Sequence, residues 1–192
     1  MSGYHDLLDD VTFHLGLVEL DELLAANTRE KGDPGGGRLH RADYPRKPAG
    51  VPRRFAHLHS RRISYCSDLD GARRRLTPPS VRFLGRRVYL FAVFLLASVL
   101  RNDVNGFRTA QLKGLLHVSE QTLRRWRHWW QENFLTTSVW HELRGRFVPP
   151  IATTDFPRSL LDRSTIDSVA GRVLKLLELL SPLSVEVSAK RC

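Results

Sequence analysis

Apolar residues recur along this chain at changing periods, and the changes mark its parts. Between residues 5 and 26, Leu7, Leu8, Val11, Leu15 and Val18 form a stripe at helical spacing, with Asp6, Asp9, Asp10 and Glu19 outside it. The pattern predicts helix in one or two pieces, with Gly16 as a break and a second short helix over residues 21–25. From 27 to 62 the period disappears. Glycine and proline are frequent enough there that no long helix or central strand persists. Residues 61–66, RRISYC, alternate Ile63 and Tyr65 with polar neighbours and predict one strand. The rest reads either as an extended arm or as an ordered ribbon of short strands. Pro78-Pro79 then impose another extended stretch.

Residues 88–100 are a nearly unbroken apolar run of 13 residues, bracketed by Arg86-Arg87 and Arg101. That is well short of the roughly 20 needed to cross a bilayer. It predicts a fully buried helix lying beneath the segment that follows.

That segment, TAQLKGLLHVSEQTLRRWRHWW over residues 109–130, reads as a helix-turn-helix. A first helix starts at Thr109 and turns Leu112, Leu115 and Leu116 inward. His117, Val118 and Ser119 form the turn, and Ser119 caps a second helix whose buried stripe is Leu123, Trp126 and Trp130. The apolar positions of the motif are filled by Leu112, Leu116, Val118, Leu123 and Trp126. Two positions depart from it: Lys113 replaces a small residue, and His117 replaces a left-handed glycine at a cost of roughly 1 kcal/mol. The outer face presents Glu120, Gln121, Arg124, Arg125, Arg127 and His128, suited to base edges and phosphates in a major groove. The plainer reading is a helical hairpin with a solvated basic face.

Further on, Trp140, Phe147 and Phe156 are expected to complete the core of this domain around Pro149-Pro150. Ile166, Val169, Ala170, Val173, Leu174, Leu177 and Leu180 predict an amphipathic helix over residues 165–180, stopped by Ser181-Pro182. It is either a core helix or a dimerisation helix.

Charge sharpens the picture. The net charge of +10 is distributed as −6 over residues 1–30, +11 over 31–90, +4 over 91–150 and +1 over 151–192. A basic middle is the footprint of a polyanion. Arginine outnumbers lysine by 25 to 5, so part of the basicity reflects composition rather than function. Two cysteines, Cys66 and Cys192, give no disulfide framework and fit a reducing cytoplasm. The acidic N-terminus does not read as a signal peptide. A cytoplasmic protein without a membrane partner is expected.

The stretches GGRLHRADYPRKP, RRRLTPPSVRFLGRRVYL, VSEQTLRRWRHWW and RGRFVPP resemble a family of small bacterial proteins associated with insertion sequences and often labelled transposase. The resemblance covers about residues 30–165 and implies an N-terminal zinc ribbon. One CxxC knuckle of that ribbon precedes GGRLHR and a second cysteine pair precedes RRR. Here the knuckle positions hold Gly32, Gly35, Ser67 and Ala72, with Cys66 beside them. A structural zinc needs four thiolate or imidazole ligands. Cys66, His40, His57 and His59 are the remaining donors, but the HLH spacing of 57 and 59 sends two of them to opposite faces. The expectation is therefore no metal or other cofactor, and a degenerate, loosely ordered ribbon.

Catalytic signatures are missing from the sequence. Cut-and-paste transposition needs three carboxylates around two magnesium ions, whereas Asp103, Glu120, Glu132, Glu142, Asp155 and Asp162 are scattered over expected helices. No Gly-rich phosphate loop, HExxH or recognisable Ser-His-Asp context occurs. The expected fold is mainly α: an irregular, small-β-ribbon segment, then a three-helix helix-turn-helix domain and a C-terminal amphipathic helix. The expected parts are residues 1–26, 27–80, 81–162 and 163–192. The expected function is non-catalytic binding of double-stranded DNA by Ser119, Glu120, Gln121, Arg124, Arg125, Arg127 and His128, aided by Arg86, Arg87 and Arg108. A transposase or a second copy, joined through residues 165–180, is the expected protein partner. The alternatives are a site-specific transcriptional regulator and a decayed fragment acting as an interaction domain.

Overall fold

Asp10 holds extended backbone and accepts the Thr12 N–H at 2.8 Å, which starts α1 (Val11–Lys31). This geometry is that of a computed structural model, which describes residues 4, 6–69, 75–85, 88–100 and 118–185. A 3₁₀ turn, Asp6–Asp9, precedes α1 and buries Leu7 and Leu8. α1 continues without a break through Gly16. The missing side chain there lets Leu174 come within 3.2 Å of where a Cβ would stand. The helix is one piece, not two, and its buried face differs from the expected stripe. Phe13, His14, Leu17, Asp21 and Ala25 face inward, while Val11 and Leu15 are each 50% exposed. The buried face wins because it carries Phe13 and two polar side chains that find partners inside.

The first of those is Asp21. Its carboxylate accepts Ser80 Oγ–H at 2.8 Å, the Val81 N–H at 2.7 Å and Arg82 Nε–H at 2.7 Å. Arg82 also donates to the Leu58 carbonyl at 2.6 Å. The second is His14, whose Nε2–H donates to the Leu8 carbonyl at 3.0 Å. That leaves its Nδ1 to accept from His59 Nε2–H at 2.8 Å.

After α1, the Gly/Pro-rich segment forms two small antiparallel sheets. β1 (Leu39–Arg41), β4 (Tyr65–Ser67) and β5 (Arg75–Leu76) are ordered β1-β4-β5, and β2 (Tyr44–Pro45) pairs with β3 (Arg61–Arg62). The ordered ribbon is thus the reading that holds, in place of a loosely ordered segment. The strand expected over residues 61–66 is divided between the two sheets. A 3₁₀ helix, Arg53–His59, lies in the connection between β2 and β3 and buries Phe55 and His59. Leu39, Ile63 and Tyr65 meet Ala25 of α1 in a small second core.

α2 (Phe91–Leu100) lies at the centre of the main core, with Phe91 to Leu96 essentially inaccessible. This matches the buried helix expected there, although Val88 is 63% exposed. The main chain then forms α3 (Glu120–His128), a π-helical turn (Trp129–Asn133) and a 3₁₀ turn (Phe134–Thr136). α4 (Ser138–Leu143) and α5 (Arg158–Asp162) follow. Trp140 and Phe156 join this core, their rings 4.9 Å apart, and Phe147 packs at its edge.

Ser168 caps α6 (Val169–Leu180), accepting the Gly171 N–H at 3.1 Å. The helix therefore starts at 169 rather than 165. Val173, Leu176, Leu177 and Leu180 are buried against the protein's own helices. That consumes the apolar face which a dimer through residues 165–180 requires, so the helix is a core element. The fold is mainly helical with two small antiparallel sheets. Among the described residues no helix is long and apolar enough to cross a membrane.

Candidate nucleic-acid interface

Ser119 has extended backbone, and its Oγ accepts the Thr122 N–H at 3.3 Å, which sets the first turn of α3 as the sequence predicts. Leu123, Trp126 and Trp130 point inward at 8%, 6% and 0% exposure. The Trp126 ring meets Tyr89 at 5.0 Å and Phe94 at 5.2 Å, and Trp130 stacks on Phe94 at 5.4 Å. Aromatic rings in these edge and offset geometries have few alternative arrangements, so the rotation of α3 about its axis is fixed.

With that rotation fixed, Glu120, Gln121, Arg124, Arg125, Arg127 and His128 all face solvent. At 100° per residue they span an arc of about 160°. Arg124 lies 3.4 Å from Glu120, and His128 lies 3.2 Å from Glu132. Both are exposed pairs one helical turn apart, worth a few tenths of a kcal/mol. Arg125 donates to Thr122 Oγ1 at 3.0 Å. No deep partner holds any of these cations among the described residues, so each can turn to a phosphate or a base edge.

The first helix of the expected motif, with Thr109, Leu112, Lys113, Leu115, Leu116 and His117, lies outside the described residues. So do Arg86, Arg87, Arg108 and Ala72.

The ribbon's arginines are placed differently. Arg62, 2% exposed, donates to the Phe83 and Pro78 carbonyls at 2.8 and 3.2 Å, and burial lowers its pKa. Arg82, 4% exposed, is held by Asp21 and Leu58. Arg41 grips both oxygens of Glu22 at 2.7 and 2.8 Å, and Arg54 bonds Asp9 at 2.7 Å. Arg62 and Arg82 serve as buried struts and Arg41 and Arg54 are tied to carboxylates at the surface, which corrects the reading of the basic middle as simply the footprint of a polyanion. Nothing in the sequence marks Asp21 as a partner of Arg82. It looks like one more acidic residue on an amphipathic helix.

The knuckle positions do not fit a metal. Gly32 ends α1 at φ 77°, a left-handed geometry that favours glycine. Ser67 Oγ–H donates to the Asp33 carboxylate, and Asp68 accepts the Arg38 N–H at 2.7 Å. Polar hydrogen bonds tie the start of β1 to the end of β4 where a ribbon of that family would hold its metal. Of the remaining donors, His40 and Cys66 are cross-strand neighbours, whereas His59 is buried against His14 and His57 is exposed. They do not converge, and no group of three or more possible ligands occurs among the described residues.

No family model, curated protein or solved structure matches this chain.

Proposed function

We propose that this protein binds double-stranded DNA through the outer face of α3, without catalysis of its own, as an accessory protein of a bacterial insertion sequence. One observation carries the reading. A short helix, capped by Ser119 and locked by two tryptophans, presents three arginines, a histidine, a glutamine and a glutamate to solvent on one arc. A locked helix of this kind matches groove reading, because base recognition requires donors held within hydrogen-bond tolerance. Gln121 lies in the first turn and is assigned to base edges. Arg124 and Arg125 are assigned to guanines or phosphates. The mobile-element association rests on the resemblance of the ribbon and α3 segments.

Selection of binding sites from random duplex DNA, followed by footprinting, tests this. The expected outcome is one enriched sequence, found at the ends of the element, with preference lost in Arg124→Ala/Arg125→Ala. A defined footprint away from the element's ends indicates a regulator instead. Weak binding without preference, equal in the parent and the double variant, rejects the helix as a reading element.

A further inference from the structure

Beside the exposed arc of α3 lies a cavity that the DNA-binding reading does not use. Its volume, about 440 Å³, is that of a small-molecule site. Four rings wall it: Tyr89, Phe94, Trp126 and Trp129. Trp126 meets Tyr89 at 5.0 Å and Phe94 at 5.2 Å, and Phe94 meets Trp129 at 5.2 Å, all edge to face. Each wall is braced by another, so the cavity is formed before anything enters it. Trp129 also opens the π-helical turn, whose end is marked by the Phe134 N–H donating to the Trp129 carbonyl. Single turns of this kind recur at functional sites. Trp129 and Trp130 both pack on Phe94, one lining the cavity and the other filling the core.

The polar part of the lining comes from Thr122, Arg125 and Asn133. At 100° per residue, Thr122, Arg125, Trp126 and Trp129 span about 100° of the helix, and Arg125 stands where this flank meets the exposed arc. Arg125 and Asn133 are exposed, which puts them at the mouth, whereas Thr122 is buried. Arg125 Nη2–H donates to Thr122 Oγ1 at 3.0 Å, and Thr122 Oγ1 lies 3.0 Å from Ser119 Oγ. The capping network thus anchors one donor of the guanidinium and leaves the rest of its fork for a ligand. Arg125 is the charged residue of the lining, and among the described residues no carboxylate lines the cavity.

We infer that this cavity binds a small planar aromatic carboxylate, its ring between the aromatic walls and its carboxylate on Arg125. Aromatic walls alone would favour a cation, but the guanidinium at the mouth repels one. The planar fork of an arginine matches a carboxylate with two parallel N–H···O bonds. One guanidinium balances one negative charge, which favours a carboxylate over a phosphate dianion. Asn133 can donate to or accept from a further polar group on the ligand. The site stands whether or not α3 reads DNA.

The test is isothermal titration calorimetry of the full chain with naphthoate, compared with the uncharged naphthamide and the positively charged naphthylmethylammonium. Naphthoate is expected to bind saturably, one per chain, and about tenfold or more tighter than either of the others, the factor that charge-assisted hydrogen bonds supply. Arg125→Gln changes an exposed side chain and should leave the fold intact. It is expected to abolish the preference for naphthoate and to leave affinity for the amide as it is. Arg124→Gln, on the same helix but outside the lining, is expected to keep the parent's affinity for naphthoate. Absence of saturable binding by all three compounds overturns the site. Equal affinity for naphthoate and the amide, or tighter binding of the ammonium, overturns the assignment to a carboxylate. An unchanged naphthoate affinity in Arg125→Gln overturns the role of that arginine. Equal losses in Arg124→Gln and Arg125→Gln overturn it as well, because the effect is then net charge rather than placement.

Discussion

In the ribbon, Arg41, Arg54, Arg62 and Arg82 end on carboxylates and backbone carbonyls of the protein itself, whereas on α3 Arg124, Arg125 and Arg127 stand in solvent. The two regions use one residue type for opposite purposes. Strands of two or three residues cannot satisfy their backbone groups by ladders alone, and a guanidinium with five donors can gather several stranded carbonyls at once. The helix satisfies its own backbone, so its arginines remain available. A count of basic residues therefore overstates the positive charge left unengaged at the surface. The stretch TPPSVRFLG is a folding element: Ser80, Val81 and Arg82 converge on Asp21.

The largest test of this contrast is Asp21→Ala. It leaves the Arg82 guanidinium buried without its carboxylate, and removing one partner of such a pair costs about 3–5 kcal/mol. Urea unfolding should show that loss. A change no greater than that of Arg124→Ala, expected within about 0.5 kcal/mol, would make Arg82 a surface arginine in effect.

On the α3 side, Trp126→Ala should cost about 3–5 kcal/mol in thermal or urea unfolding. Arg124→Ala/Arg125→Ala should leave stability nearly unchanged, while removal of each guanine-reading arginine weakens duplex binding by about 1–3 kcal/mol. If the tryptophan variant unfolds like the parent, the helix is rotated and the exposed arc is a different one.

A third test uses acid. Burial above all, then the charges of His14 and Arg82, hold the His59 pKa down from 6.5 to about 3, and burial lowers that of His14 as well. Asp9, Asp10, Arg54 and His57 are the other charged or titratable groups acting on the pair. The folded state therefore favours neutral imidazoles, and the unfolded chain binds more protons below pH 6.5. Stability is fully present above that pH and falls as pH drops, by about 1.4 kcal/mol per unit for His59 down to about pH 3, with His14 steepening the loss just below pH 6.5. In His59→Leu the slope between pH 6 and 4 should be shallower than in the parent. Equal slopes in both would place the acid-sensitive groups elsewhere.

The smallest expected effect is at the knuckle positions. Asp33→Ala removes the bond from Ser67 and should cost about 1 kcal/mol. Adding a strong chelator to the parent should not shift its melting temperature. A chelator-induced drop would show that this ribbon depends on metal after all.

Pattern alone determined the buried run of α2, the cap and rotation of α3, and the amphipathic character of α6. Each is a local matter: α2 is apolar all round, whereas on α3 and α6 one helical face is much more apolar than the other and Ser119 or Pro182 marks an end. Tertiary structure decided which face of α1 is buried, because its two candidate faces are nearly equal in apolar content. Burial there depends on whether His14 and Asp21 find partners, and those partners, His59 and residues 80–82, lie far along the chain. The same distance hid the division of the arginines. Whether a guanidinium is a strut or a free cation depends on carbonyls and carboxylates brought to it by the fold, and neither period nor composition records them.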